Sequence, residues 1–114
     1  MAITITTRKI GDITVAHIVG RITLGAGSST LRDTIQELST AEHPRIVLNL
    51  SGVSSLDSSG IGELVSGFTI TRSRGGALKL LALPKRVEEL LRMTGVSRIF
   101  EIHDDEAHAL RSFE

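Results

Sequence analysis

From residue 3 to residue 10 apolar and polar positions alternate, with Ile3 and Ile5 on one face, which is the period of a half-buried strand. Gly11-Asp12 marks a turn. A more apolar run follows over residues 13–20, carrying Ile13, Val15, Ile18 and Val19, and the two runs predict an antiparallel hairpin. After a Gly- and Ser-rich connection, Gly20 to Ser29, the period changes. Leu31, Ile35 and Leu38 recur at helical spacing, with Ser28, Ser29 or Thr30 as candidate caps. His43-Pro44 then precedes a buried-strand pattern near residues 45–50: Ile46, Val47, Leu48 and Leu50.

A second helix is predicted from about Ser58 to Arg72, with Ile61, Leu64, Val65 and Phe68 on its apolar side. Leu78 to Ala82 reads as a strand. The third helix opens near Pro84, buries Val87, Leu90, Leu91 and Thr94, and stops at Gly95. Ile99 to Ile102 predicts a short last strand. Asp104 is the expected cap of a final helix through Phe113, with Ala107, Leu110 and Arg111 facing the body.

The order is β-β-α-β-α-β-α-β-α. It predicts an α/β fold: one domain over residues 1–114, an N-terminal β-hairpin, then alternating helices and strands. The sheet is mixed and mostly parallel, with about four helices and right-handed crossovers. In such sheets sites gather beyond the carboxyl ends of the strands. The Asp57-Ser58 turn and the Arg21–Ser29 connection both lie at such ends, so they are expected to share one surface.

Composition narrows the function classes. The 114 residues include three Phe and no Trp or Tyr, so the core is aliphatic and a base-stacking platform is disfavoured. Thirteen basic residues balance thirteen acidic ones, which leaves no global field for nucleic acid or an anionic membrane. The absence of Cys excludes disulfides, thiolate metal sites and a cysteine nucleophile, and it suits a reducing cytoplasm. No signal peptide and no membrane span is expected, because the N-terminus alternates like a strand and no apolar run approaches about 20 residues.

Several motifs have bland readings that win. Gly25-Ala26-Gly27 begins like a dinucleotide fingerprint, but Thr30 stands where the third Gly belongs. His103, Asp104, Asp105 and His108 fit no strong metal-ligand spacing and read as a polar turn before a capped helix. No metal or cofactor is expected. A nucleophilic Ser58 or Ser59 lacks an assignable histidine, and no Gly-x-Ser-x-Gly elbow is present, so no catalytic residue is assigned. Lys85, Arg86 and Arg92 alternate with Glu88 and Glu89, as on a solvated charged face.

One stretch resists a bland reading. Four Ser fall within residues 54–59, two Gly follow at 60 and 62, and Asp57-Ser58-Ser59-Gly60 sits at a predicted helix start. Unpaired N–H groups and the positive dipole end lie there. A hydroxyl at this point can cap the helix, and it can also carry a phosphate. By spacing alone both roles stay open.

Ile46-Val47-Leu48-Asn49-Leu50-Ser51-Gly52-Val53, followed by Leu56-Asp57-Ser58-Ser59-Gly60-Ile61-Gly62-Glu63-Leu64, closely resembles the STAS domain of bacterial anti-sigma factor antagonists. Val19-Gly20-Arg21-Ile22, Gly76 to Leu80, Val87 to Leu91 and Phe100 to Ala107 extend the likeness over nearly the whole chain. The resemblance implies phosphorylation of Ser58 and a protein that is not itself an enzyme. It implies a partner that is both anti-sigma factor and serine kinase, of GHKL type, and a PP2C-type phosphatase that reverses the modification. The unphosphorylated form then binds the kinase and frees a sigma factor. Asp57, Ser59, Gly60, Gly62, Arg21 and Ser28 are the expected partner-binding residues. A cytoplasmic monomer or weak dimer is expected, with no direct nucleic-acid contact. The helix start is expected to hold the phosphate without unfolding. The alternative is an interaction module in a stress-signalling scaffold or transport complex, with no switch. Asn49 departs from the family, where many members carry Asp, and so does the Gly-rich Leu24–Gly27 loop.

Overall fold

A computed structural model describes residues 3–114. Strands β1 (Ile3–Ile10) and β2 (Ile13–Ile22) form the antiparallel hairpin, with Ile5 opposite Ile18 and Ile10 opposite Ile13. β3 (Arg45–Leu56), β4 (Ala77–Leu81) and β5 (Ile102–His103) add in parallel, and the sheet order is β1-β2-β3-β4-β5. The helices are α1 (Ala26–Leu38), α2 (Ser58–Ser73), α3 (Lys85–Met93) and α4 (Glu106–Arg111).

The pleat divides the core in two. Ala16, Ile18, Ile46, Leu48 and Leu80 point to one face, where they meet Leu31 and Ile35 of α1, Leu64 of α2, and Val87 and Leu91 of α3. Ile13, Val15, Val47 and Leu81 point to the other, where Ala109 and Leu110 of α4 and then Phe113 cover them. The first three helices therefore share a face and the short last one serves the opposite side. Lys79 is also on that second face. Its buried amine donates to the carbonyl and hydroxyl oxygens of Ser112 at 3.0 and 2.8 Å, pairs with Glu101 at 3.0 Å, and lies 4.2 Å from the Phe113 ring centre.

β3 is longer than the sequence pattern indicates. It runs to Leu56, and its twelve residues lie beside ten of β2. Two irregularities absorb the difference: His17 pairs with Asn49 but Val19 with Gly52, and Gly20 pairs with Val53 but Arg21 with Ser55. Each inserts one extra residue into β3 and reverses its pleat. The core positions accordingly run Ile46, Leu48, Leu50, then Val53, then Leu56. Strict alternation fails after residue 50 for that reason. At the first bulge the Asn49 side chain accepts the Ser51 N–H at 3.0 Å.

Three element boundaries also differ from expectation. α1 starts at Ala26, ahead of the Ser and Thr candidates. Its N-cap is Gly25 at φ 101°, a conformation that favours glycine, and no side chain caps it. A backbone carbonyl does part of that work, Ser28 N–H donating to Thr23 at 2.9 Å, before the first helical bond from Ser29 N–H to Gly25 at 3.0 Å. The last strand is displaced to Ile102–His103 because Val96–Ile99 coils into a 3-10 turn after Gly95. Phe100 leaves that turn to pack edge-on against Phe68, with ring centres 5.4 Å apart. Asp105, not Asp104, caps α4, so Ala109 is buried while Ala107 and Arg111 are exposed. Thr94 falls just beyond α3, at its C-terminal cap, and is exposed.

Candidate functional site: the turn between β3 and α2

β2 and β3 end side by side, Ile22 opposite Leu56, whereas β4 stops at Leu81 opposite Asn49, so the last part of β3 lies between β2 and α3 and the turn after it sits beside the loop after β2. Asp57 occupies the cap position of α2 with extended backbone, φ −115° and ψ −173°. Its Oδ1 accepts the N–H groups of Ser59 at 3.0 Å and Gly60 at 3.1 Å, and the Ser59 hydroxyl at 2.6 Å. Its Oδ2 accepts the Leu24 N–H at 2.9 Å. One carboxylate thus closes the helix start and binds the β2–α1 loop to it. These donors, led by the Ser59 hydroxyl and then the Leu24 and Gly60 amides, hold its pKa at about 2, against an ordinary 3.8.

Ser58 is the first residue of α2 and is exposed. Among the described residues its hydroxyl has no hydrogen-bond partner within the chain. Cap and free hydroxyl are therefore separate residues: Asp57 caps, and Ser58 points outward. Ser59 differs from its neighbour, because its hydroxyl is already committed to Asp57. The Ser59 and Gly60 amides are committed to Asp57 as well, and Ile61 N–H donates to the Asp57 carbonyl at 2.9 Å. The Ser59, Gly60 and Ile61 N–H groups are thus already engaged within the turn.

Gly60 and Gly62 separate by environment. A Cβ on Gly60 would lie 2.2 Å from the Ile22 carbonyl oxygen and 2.6 Å from Leu56, so only glycine lets α2 approach the end of β2. Gly62 is exposed, with nothing within 4 Å of its own Cβ position. Arg21 is exposed beside this turn. Ser28 is buried at 4% exposure, its hydroxyl turned back to the Gly25 carbonyl, and so it is not on the surface. Leu24, which the hydrophobic pattern does not single out, is 81% exposed on the loop that Asp57 fastens.

The His103-to-His108 cluster is divided among structural tasks. His103 contacts Glu101 at 2.6 Å, and Asp105 caps α4 through the His108 N–H at 3.0 Å. Among the described residues no group of three His, Asp or Glu is placed to hold a metal ion. No helix among them is long and apolar enough to cross a membrane.

The family model described as the STAS domain matches residues 4–109. The chain belongs to the STAS domain family. An anti-sigma F factor antagonist of Paenibacillus polymyxa is 33% identical to this STAS domain over 69 residues, 60% of this chain and 59% of that protein. An anti-sigma-B factor antagonist of Bacillus subtilis (strain 168) is 40% identical over 53 residues, 46% of this chain and 49% of that protein. A crystal structure of an anti-sigma factor antagonist from Mycobacterium paratuberculosis matches with a TM-score of 0.85 at 21% identity, covering 96% of this chain and 92% of that one. The last likeness is one of fold. In each curated relative the matched stretch spans less than two thirds of the protein.

Proposed function

We propose that this STAS domain is an anti-sigma factor antagonist that switches partners through phosphorylation of Ser58. The observation that carries the reading is the division of labour at the turn: Asp57 supplies the cap, leaving the exposed Ser58 hydroxyl free for a kinase. The names of the sequence relatives support the same class.

In this reading the unphosphorylated chain binds an anti-sigma factor that is also a GHKL-type serine kinase, and a sigma factor is released. Phosphate adds about −1.5 to −2 charge at pH 7. Asp57 beside it is already ionised at that pH. Because Ser58 is exposed, the new charge faces the partner. A surface packed over it must desolvate or repel it, which costs affinity and leaves the fold alone. A PP2C-type phosphatase restores binding. Ser59, Gly62 and Arg21 surround the turn as its binding surface, whereas the buried Gly60 and Ser28 contribute from beneath, by seating α2 on β2 and through the loop. The protein works in the cytoplasm without metal or cofactor and is not itself an enzyme.

The test is incubation with a GHKL-type anti-sigma kinase and ATP, read by intact mass and peptide mapping. One phosphate on Ser58 is the expected result. Phosphate on Ser55 or Ser59, or none with any such kinase, overturns the reading.

A further inference from the structure

At the pole opposite Ser58, where β2 and β3 begin with Ile13 beside Arg45, lies a cavity of about 370 Å³. Small-molecule sites commonly span about 300–1,000 Å³, so this one suits a small guest. Its floor is the cross-strand pair Lys9 and Thr14 of the hairpin, which point to the same side of the sheet. Its wall is the segment that leaves α1, with Leu38, Glu42 and Pro44. Four charged side chains line it. Arg45 holds Asp12 at 3.3 Å, which closes one pair. Lys9 and Glu42 are left, one cation and one anion, and neither has an ion-pair partner among the described residues. Thr14 is only 9% exposed, and among the described residues its hydroxyl has no hydrogen-bond partner. A hydroxyl buried that far calls for a polar atom from outside the chain.

We propose that this cavity binds a free amino acid with an aliphatic side chain, its carboxylate on Lys9 and Thr14 and its ammonium on Glu42. The unpaired charges select a dipolar guest. A simple anion would satisfy Lys9 but face Glu42 and the end of α1, which finishes at Leu38 and turns its negative pole here. A simple cation would suit that end and face Lys9. A zwitterion answers both, and the Thr14 hydroxyl donates to its carboxylate. Lys9 and Glu42 rise from different walls on long flexible stems, so both reach a small guest seated between them. Leu38 and Pro44 supply an apolar wall for an aliphatic side chain. The Asp12–Arg45 pair and His43, whose ring contacts the Gly75 carbonyl at 3.2 Å, are already engaged and leave the recognition to the other groups. The site stands the length of β3 away from Ser58 and needs nothing from the phosphate switch.

The test titrates L-leucine into the isotope-labelled full chain and follows the amide resonances. Shifts are expected at Lys9, Thr14 and the segment from Leu38 to His43, with the Ser58 turn unmoved. Calorimetry supplies the affinities. Lys9→Met and Glu42→Gln are each expected to weaken binding about tenfold, the scale of one charge-assisted contact. Both residues are exposed, so the thermal midpoints of these variants without ligand stay at the wild-type value. N-acetyl-L-leucine, which lacks the ammonium, and isoamylamine, which lacks the carboxylate, are each expected to bind about tenfold more weakly than L-leucine. Unchanged spectra with L-leucine, L-isoleucine and L-valine at millimolar concentration would overturn the proposal. So would shifts centred on the Ser58 turn, either analogue binding as well as L-leucine, or both variants keeping the wild-type affinity.

Discussion

The carboxylate of Asp57 holds the backbone of Leu24, thirty-three residues upstream, through an N–H···O bond of 2.9 Å. The other oxygen of the same group closes the start of α2. Cap and loop clasp are therefore one ionisation event. The folded-state pKa of about 2 lies below the ordinary 3.8, so the stabilisation is complete above about pH 4 and is lost as pH falls through about 2. Asp57→Asn keeps one acceptor but places an NH2 group where the second must accept. The variant is expected to unfold at a lower temperature at pH 7 and to lose less stability than wild type between pH 4 and pH 2. Glu101 is depressed to about 2 as well, chiefly by the contact with His103, so the difference between the two proteins is the readout. Parallel acid titrations followed by circular dichroism measure it, and identical curves would count against the clasp.

The two glycines of the turn give opposite outcomes. Gly60→Ala drives a methyl into the Ile22 carbonyl and is expected to cost about 1–3 kcal/mol. Gly62→Ala meets open space on a helix and is expected to stabilise by up to about 1 kcal/mol. Urea unfolding midpoints separate them.

Charge at Ser58 tests the switch without a kinase step. Ser58→Asp is expected to weaken binding to the anti-sigma factor while leaving thermal unfolding near wild type. Ser58→Ala stays competent to bind and accepts no phosphate. Calorimetric titration decides, and equal affinity of Ser58→Asp and wild type would sink the electrostatic mechanism.

Lys79 fastens the C-terminal segment to the sheet through Ser112, Glu101 and Phe113. Lys79→Met keeps the stem and removes the charge. Loss of hydrogen bonds from a largely buried amine is expected to cost about 2 kcal/mol. Hydrogen exchange is expected to quicken over α4 and Phe113 first, because the second core depends on that cover. Uniform protection with and without Lys79 would deny it this role.

The hairpin, the helix order and the parallel sheet were legible because Ile3, Ile5, Leu31, Ile35 and Leu64 keep clean periods. The second half of β3 was hidden by its bulges, which break the alternation that identifies a strand. Choosing the cap was beyond pattern reading too. Asp and Ser are nearly equal caps, and only the extended backbone at residue 57 gives the post to Asp57. Ser28 looked like loop surface until α1 began at Ala26 and turned it inward. Leu24 carries no periodic signal, since an isolated leucine in a Gly-rich loop reads the same whether it points in or out. Asp104 and Asp105 are both good caps, and the sequence does not choose between them.

The paired irregularities of β3 bear on how its length can change. One residue lost between Leu50 and Val53 would invert the pleat from there to Asp57, turning Val53 and Leu56 away from the helices and the carboxylate away from Leu24. Losing one residue at each bulge would restore the parity and only draw the turn back along the sheet. Viable insertions and deletions in this strand are therefore expected in compensating pairs, and the Asp57-Ser58 turn tolerates a change of reach far better than a change of phase.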